Sequence, residues 1–165
     1  PPAPYDFRMA PARRRSYTSQ WYGGGAIKPI FFEHKLGAVK LLVDRTHYAP
    51  EEIVGIRVYF TPKQNITIDY ADVKLVMTET AAKGNGKKSI HHTHIQCHGE
   101  EILTGERVLA KGKPFDQSAQ LRLPYKAMHS FTSDHNSLTW AIVLTINIHN
   151  VPAFQHSVPI HLHNA

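Results

Sequence analysis

The chain has 165 residues, of which 42% are hydrophobic and 19% charged, and this composition excludes wholesale disorder. Its length supplies one compact core and is short for two domains. No apolar run reaches the roughly 18 to 20 residues that a membrane-spanning helix needs, and the formal net charge of +6 raises the question of an anionic partner.

The first predicted segment is an irregular N-terminal leader over residues 1–25. Its prolines oppose a regular helix, and three consecutive glycines end it with a flexible hinge. The leader also concentrates four basic side chains, Arg8, Arg13, Arg14 and Arg15. We predict that these arginines either are solvated or contact an anionic membrane or nucleic acid. The folded domain is predicted to occupy residues 26–165.

Strands without helices are predicted for this domain, because alternating and β-branched runs recur without a 3.6-residue period. In chain order they are Ile27–Phe32, Ala38–Val43, Ile53–Phe60, Ile66–Tyr70, Val73–Thr80, Ile90–Gln96, Glu101–Ala110, Ser118–Leu123, Leu138–Ile148 and Ser157–Leu162. Turn signals separate them at Thr61-Pro62, AKGNGKKS (82–89), Cys97-His98-Gly99, GKPFD (112–116), TSDHN (132–136) and Asn150-Val151-Pro152. This pattern favours an all-β, immunoglobulin-like sandwich of two antiparallel sheets, with a closed barrel as the alternative.

Three of these strands carry apolar stripes with a period of two. Successive side chains of a strand point to opposite faces, so each stripe is predicted to face the core. The stripes are Val54, Ile56, Val58 and Phe60; Trp140, Ile142, Leu144, Ile146 and Ile148; and Val158, Ile160 and Leu162. Arg57 and Tyr59 then point away from the core, and His161 and His163 fall on a solvent-facing side.

The bend Tyr48-Ala49-Pro50-Glu51-Glu52 follows the strand GAVKLLVDR (37–45). By itself it reads as a turn in which Pro50 fixes φ and Glu51 tolerates the reversal between two core-facing strands. It also resembles the Tyr-any-Pro-Gly-Glu bend of the arrestin-like family, with Glu51 in the place of the glycine. The strand glycine departs too, because Gly55 lies one position before the family place, which Ile56 occupies.

Further segments resemble that family in the same order along the chain. They are LRLP (121–124) followed by His129-Ser130-Phe131, LTWAIVLTINI (138–148) and HSVPIHL (156–162). The resemblance implies a single arrestin-like β-sandwich lobe over roughly residues 37–162, whose work is to bind other proteins. Full arrestins carry two lobes, so phosphate sensing through a buried ionic core is not carried over. No Arg and Asp pair in the sequence can be assigned to such a core.

The segment IHHTHIQCH (90–98) is the strongest local signal for chemistry. On a strand His92, His94 and His98 fall on one face, where two imidazoles at i and i+2 could share a metal ion. The sequence shows no fourth ligand, and a polar, solvent-facing strand is the interpretation we favour. Cys97 and His98 point to opposite faces and do not make a catalytic pair.

We therefore predict a non-enzymatic adaptor that binds a protein partner whose identity the sequence leaves open, with no catalytic residue and no cofactor. The alternative is a structural or assembly subunit, of jelly-roll or scaffold type, whose basic tail contacts neighbouring subunits, nucleic acid or an anionic membrane. A metal-dependent enzyme on the histidine strand ranks third. The single cysteine cannot form an internal disulfide, which favours a cytoplasmic location.

Overall fold

The computed structural model describes residues 30–84 and 90–164. Within these ranges the chain forms strands and no helix. The strands are β1 (Ile30–His34), β2 (Gly37–Val43), β3 (His47–Tyr48), β4 (Ile53–Pro62), β5 (Ile66–Lys83), β6 (Ile90–Thr104), β7 (Arg107–Leu109), β8 (Phe115–Arg122), β9 (Phe131–Thr132), β10 (Asn136–Ile148) and β11 (Phe154–Leu162). The all-β prediction is confirmed.

The strands form two sheets. One sheet has the order β1-β2-β4-β8, and the other has the order β3-β11-β10-β5-β6, with β7 beside β5 and β9 beside β10. Every pair is antiparallel except β3 and β11, which run parallel. The predicted two-sheet sandwich is therefore confirmed, and the barrel alternative is not formed.

The core lies between the facing sides of the two sheets. All residues of the three predicted apolar stripes are buried, and those of β4 are completely inaccessible. Burying one such Val or Ile side chain stabilises the fold by about 1.5 to 3 kcal/mol, which holds each strand against a one-residue slip in register. His161 and His163 are exposed, as their position opposite the stripe predicts.

Two predicted breaks are absent, because strand pairing continues through them. β5 runs unbroken through residues 71–72, where β10 pairs it on one side and β6 on the other. The predicted turn at Cys97-His98-Gly99 is wrong. The β5–β6 register passes from Val76 opposite Cys97 to Leu75 opposite Gly99, so a β-bulge absorbs the extra residue and the strand does not reverse.

Other boundaries also differ from the prediction. The predicted turn at Thr61-Pro62 is wrong, because pairing with β2 extends β4 to Pro62. The predicted strand Glu101–Ala110 is divided between β6 and β7 around Gly105. β8 begins at Phe115, which is buried and lies opposite Phe60, so the segment GKPFD is only partly a turn. β3 and β9 are not predicted, since each has two residues and forms only by pairing with β11 or β10.

The leader predicted for residues 1–25, with its boundary at residue 26, lies outside the part of the chain that the structure describes. The same holds for Arg8, Arg13, Arg14 and Arg15, so their predicted contact with an anionic surface stays a prediction. Across residues 30–84 and 90–164 there is no helix with the length and apolar character needed to cross a membrane.

Candidate functional site

The strand β6 lies at the end of the larger sheet and pairs with β5 on one side. Its first part, Ile90–His98, is exposed at every residue, and we call it the free edge. An edge strand presents unpaired backbone N–H and C=O groups, which are a template for another strand. The free edge is therefore the first candidate for a binding surface.

The second part of β6 packs against the other sheet on one of its faces. The Glu101 carboxylate accepts a hydrogen bond from the backbone N–H of Gln120 in β8, with a distance of 2.8 Å. Gly99 approaches Leu121, since a Cβ atom at Gly99 would lie 3.5 Å from the Leu121 side chain. Leu103 is buried in the core. The two sheets therefore close on each other here, whereas the free edge extends beyond this closure.

Register assigns the side chains of the free edge to two faces, because directly opposed residues of an antiparallel pair point to the same side. His94 lies opposite Glu79 and Gln96 lies opposite the buried Met77, so both belong to the inner side of the sheet. Ile95 and Cys97 lie on the outer side. Ile90 and Ile95 are 61% and 64% exposed, so the free edge carries large apolar side chains in solvent.

The three candidate metal ligands of the sequence, His92, His94 and His98, all lie in β6 and are exposed. Within the described ranges, no group of three His, Cys, Asp or Glu side chains could hold an ion. The interpretation of this segment as a polar strand without a metal ion stays a prediction. At the bulge the His98 ring lies 5.0 Å from the Trp140 ring, and the Cys97 thiol donates to the carbonyl oxygen of Gly99 at 3.3 Å.

Side chains of the bend after β2 form hydrogen bonds with each other and with the neighbouring backbone. The Tyr48 side chain is completely buried. Its hydroxyl donates to the Asp44 carboxylate and accepts the backbone N–H of Arg45 at 3.0 Å. Asp44 also accepts the backbone N–H of Gly55 at 3.1 Å. Burial raises the pKa of both Asp44 and Tyr48, and the nearby carboxylate raises the Tyr48 pKa further, so Tyr48 stays a neutral hydrogen-bond donor.

The two acidic residues of the bend, Glu51 and Glu52, stabilise its conformation through hydrogen bonds and an ion pair. Glu52 accepts the backbone N–H of Ala49 at 2.9 Å and forms an ion pair with Arg45 at 3.2 Å. Glu51 has a φ of 68°, in the left-handed region that favours glycine, and it occupies the place where the arrestin-like family has that residue. Its carbonyl oxygen accepts from Arg122 at 3.0 Å.

The bend also joins the two sheets. Tyr48, in β3, pairs with Leu162 of β11 in the larger sheet, while the strands on either side of the bend, β2 and β4, belong to the smaller sheet. This arrangement is structural. The Tyr48–Asp44 pair is enclosed by its own hydrogen bonds, and we assign it to holding the sandwich together.

An ion pair that the sequence pattern does not predict joins the buried Arg57 to the partly buried Asp116. Arg57 donates from Nε and Nη2 to the two carboxylate oxygens of Asp116, at 3.0 and 2.9 Å. The guanidinium also lies 4.8 Å from the centre of the Tyr59 ring. Arg57 belongs to the outer face of the smaller sheet, as predicted, but it is buried. The pairing depends on Asp116 being in β8, which the predicted start at Ser118 leaves out.

Comparisons with known proteins bear on the fold. No protein-family model and no curated protein matches the sequence. Among solved structures, the chain is similar to the sporulation control protein Spo0M from Bacillus subtilis, with a TM-score of 0.63 and 16% sequence identity. The match covers 79% of this chain and 50% of Spo0M, so the chain spans about half the length of that protein. With the two-sheet topology and the bend, this likeness shows that the chain has an arrestin-like fold.

Proposed function

We propose that the chain is a non-enzymatic adaptor lobe that holds an extended segment of a protein partner against the free edge. The arrestin-like neighbour suggests a regulatory or adaptor role. The observation that carries the proposal is the uninterrupted exposure of Ile90–His98 at the end of the larger sheet.

The free edge lacks most of the devices that keep sheet edges from pairing. Natural edges are usually protected by proline, by lysine and other charges, or by a covering loop. The free edge has no proline and no Lys, Arg, Asp or Glu, and its one irregularity is the bulge near its end. By contrast, the edge strand β8 uses the N–H of Gln120 to bind Glu101, and β1 carries an ion pair between Glu33 and Lys63 at 2.8 Å.

The residues of the free edge also indicate which kind of partner segment would bind. An added strand would gain backbone hydrogen bonds along the edge, and the side chains on the two faces of the edge would select its own side chains. On the outer side, Ile95 and the half-buried Val76 offer apolar contact. On the inner side, His92 and His94 offer polar contact. The expected ligand is a proline-free segment that alternates apolar and polar residues.

The test uses peptides of about 12 residues selected on the intact chain from a random displayed library. A double variant, Thr93→Lys with Ile95→Lys, places two charges on the free edge and should weaken the selected peptides by at least about tenfold. The control is Tyr125→Lys with Met128→Lys, which adds the same charge at two exposed residues after β8. Equal affinity of the peptides for the edge variant and the wild type would refute the proposed binding surface.

A further inference from the structure

We infer a binding site for a divalent transition metal ion between His47 and His161. The two residues are direct partners in the parallel pair of β3 and β11, at the border of the larger sheet opposite β6. Both side chains are exposed. Their ring centres lie 5.0 Å apart, with the ring planes tilted by 54°.

This separation matches two imidazoles that share one ion. A metal ion binds an imidazole nitrogen at about 2.0 to 2.1 Å, and the ring centre lies roughly 1.1 Å behind that nitrogen. Each ring centre is then about 3.2 Å from the ion, and ligand angles of about 90 to 110° place the two centres about 4.5 to 5.3 Å apart. The observed 5.0 Å falls within this interval. The pair is thus spaced for chelation before any ion arrives.

A neighbouring hydroxyl orients one of the two ligands. The Thr46 hydroxyl oxygen and His47 Nδ1 are 2.8 Å apart. In the tautomer whose Nδ1–H donates to Thr46, Nε2 keeps the lone pair that binds a metal. Metal-binding histidines commonly donate their second ring N–H in this way, which fixes the ring and raises its basicity.

The rest of the coordination sphere comes from outside the chain. In the part of the chain that the structure describes, no third His, Cys, Asp or Glu completes the set. A groove of about 380 Å³ opens beside the two rings, with Leu138 and Trp140 in its apolar wall and the hydroxyl residues Thr132 and Thr139 also lining it. Water or a ligand group in this groove would fill the remaining positions. Two imidazoles suit Cu²⁺, Ni²⁺ and Zn²⁺, with Cu²⁺ bound most tightly.

Metal binding here would also stabilise the fold. The ion would connect β3 to β11, one residue before the pair of Tyr48 with Leu162 that joins the two sheets. A ligand that binds the folded state and not the unfolded state raises stability in proportion to the logarithm of its concentration. The site is therefore detectable in the melting temperature as well as in direct binding.

The experiment measures thermal unfolding and calorimetric titration with Ni²⁺ at up to about 100 µM. We expect Ni²⁺ to raise the melting temperature of the wild type, and His47→Gln and His161→Gln each to abolish that rise. The double variant His92→Gln with His94→Gln should keep the rise, because it removes histidines of β6 and leaves the inferred site intact. An equal rise in both site variants, or no rise in the wild type, would overturn the inference. If one site variant does not fold, the other decides.

Discussion

The polar groups of the bend at Tyr48 have hydrogen-bond partners within the chain, whereas the residues of the free edge of β6 are exposed to solvent. In the bend, Tyr48, Asp44 and Glu52 each bind a specific backbone or side-chain partner in a mostly buried setting. Along the free edge every residue is exposed, and β5 is the only strand in the described ranges that pairs with it. The bend therefore fixes the relation between the two sheets, whereas the free edge is the surface at which we propose that a partner segment binds.

The difference predicts where substitutions change stability and where they change binding. A hydrogen bond to a charged group contributes about 1.5 to 3 kcal/mol, and a buried group left without its partner costs a similar amount. A surface substitution without such partners usually changes stability by less than about 0.5 kcal/mol. Variants of the bend should therefore unfold more easily, whereas variants of the free edge should stay stable and lose a ligand.

The largest effect is expected for Tyr48→Phe, which removes one hydroxyl and leaves the ring in place. Asp44 loses a donor and the Arg45 N–H loses its acceptor, so the free energy of unfolding should fall by about 1.5 to 3 kcal/mol. Urea unfolding measures this change. Tyr70→Phe, at an exposed tyrosine, is the matched control and should have little effect. A loss below about 0.5 kcal/mol in Tyr48→Phe would show that the bend is not a stabilising junction.

A second junction between the sheets gives a smaller effect that depends on pH. His156 in β11 stacks on Phe32 of β1 with ring centres 3.7 Å apart, and its Nε2 is buried with no hydrogen bond among the described residues. Burial, followed by the nearby His34, lowers the pKa of His156. Between that lowered pKa and the ordinary value of about 6.5, the unfolded state binds more protons than the folded state, so acid favours unfolding.

Urea unfolding at pH 7.5 and at pH 5.5 tests this sign. The wild type should lose stability on acidification, and His156→Phe, which keeps an aromatic ring on Phe32, should lose less. The difference between the two proteins isolates His156 from the other histidines. The same loss in both would mean that His156 is accessible to protons in the folded state.

Glu51→Gly should stabilise the bend. A non-glycine residue in the left-handed region costs of order 1 kcal/mol, and glycine removes this strain while adding some freedom to the unfolded chain. We expect a net gain of up to about 1 kcal/mol. Asn150 also has a positive φ, of 61°, but asparagine tolerates this conformation, so Asn150→Gly should gain less. Destabilisation by Glu51→Gly would show that the Glu51 side chain matters more than its backbone.

The smallest effect on stability is expected at the free edge. Ile95→Lys replaces an exposed side chain and should change the free energy of unfolding by less than about 0.5 kcal/mol. The measurement is again urea unfolding, so it can be compared directly with Tyr48→Phe. A loss above about 1 kcal/mol would mean that Ile95 is packed against another part of the chain, and the edge would not be free.

The sequence predicts core residues and the fold best where the evidence is a local pattern. Alternation places Ile56 and Ile142 in the core, and the order of motifs around Tyr48 leads to the arrestin-like fold. The sequence predicts strand boundaries poorly where pairing with a neighbouring strand determines them. The sequence predicts a break between two strands at residues 71–72, yet β5 continues there because β10 and β6 pair with it. Cys97-His98-Gly99 has the composition of a turn, and the partner strand makes it a bulge instead.

The candidate sites likewise depend on strand pairing that no local sequence pattern reveals. The exposure of the free edge depends on β6 being the last strand of its sheet, which no local pattern states. The meeting of His47 with His161, and of Arg57 with Asp116, depends on the register between strands far apart in sequence. Local spacing instead points to His92, His94 and His98, where the bulge brings the His98 ring against Trp140. Spacing along one strand does not reveal where a bulge shifts the register, as it does at His98.

The most direct measurement of the central claim is amide hydrogen exchange of the intact chain with and without a selected peptide. In the free protein, the amides of Ala49 in the bend and of Gly55 in β4, which donate to Glu52 and Asp44, should exchange slowly. The amides of Ile90–His98 that do not bond to β5 should exchange fast. Bound peptide should slow exchange along the free edge and leave the bend unchanged. Protection at another surface, with the free edge still exchanging fast, would contradict the account.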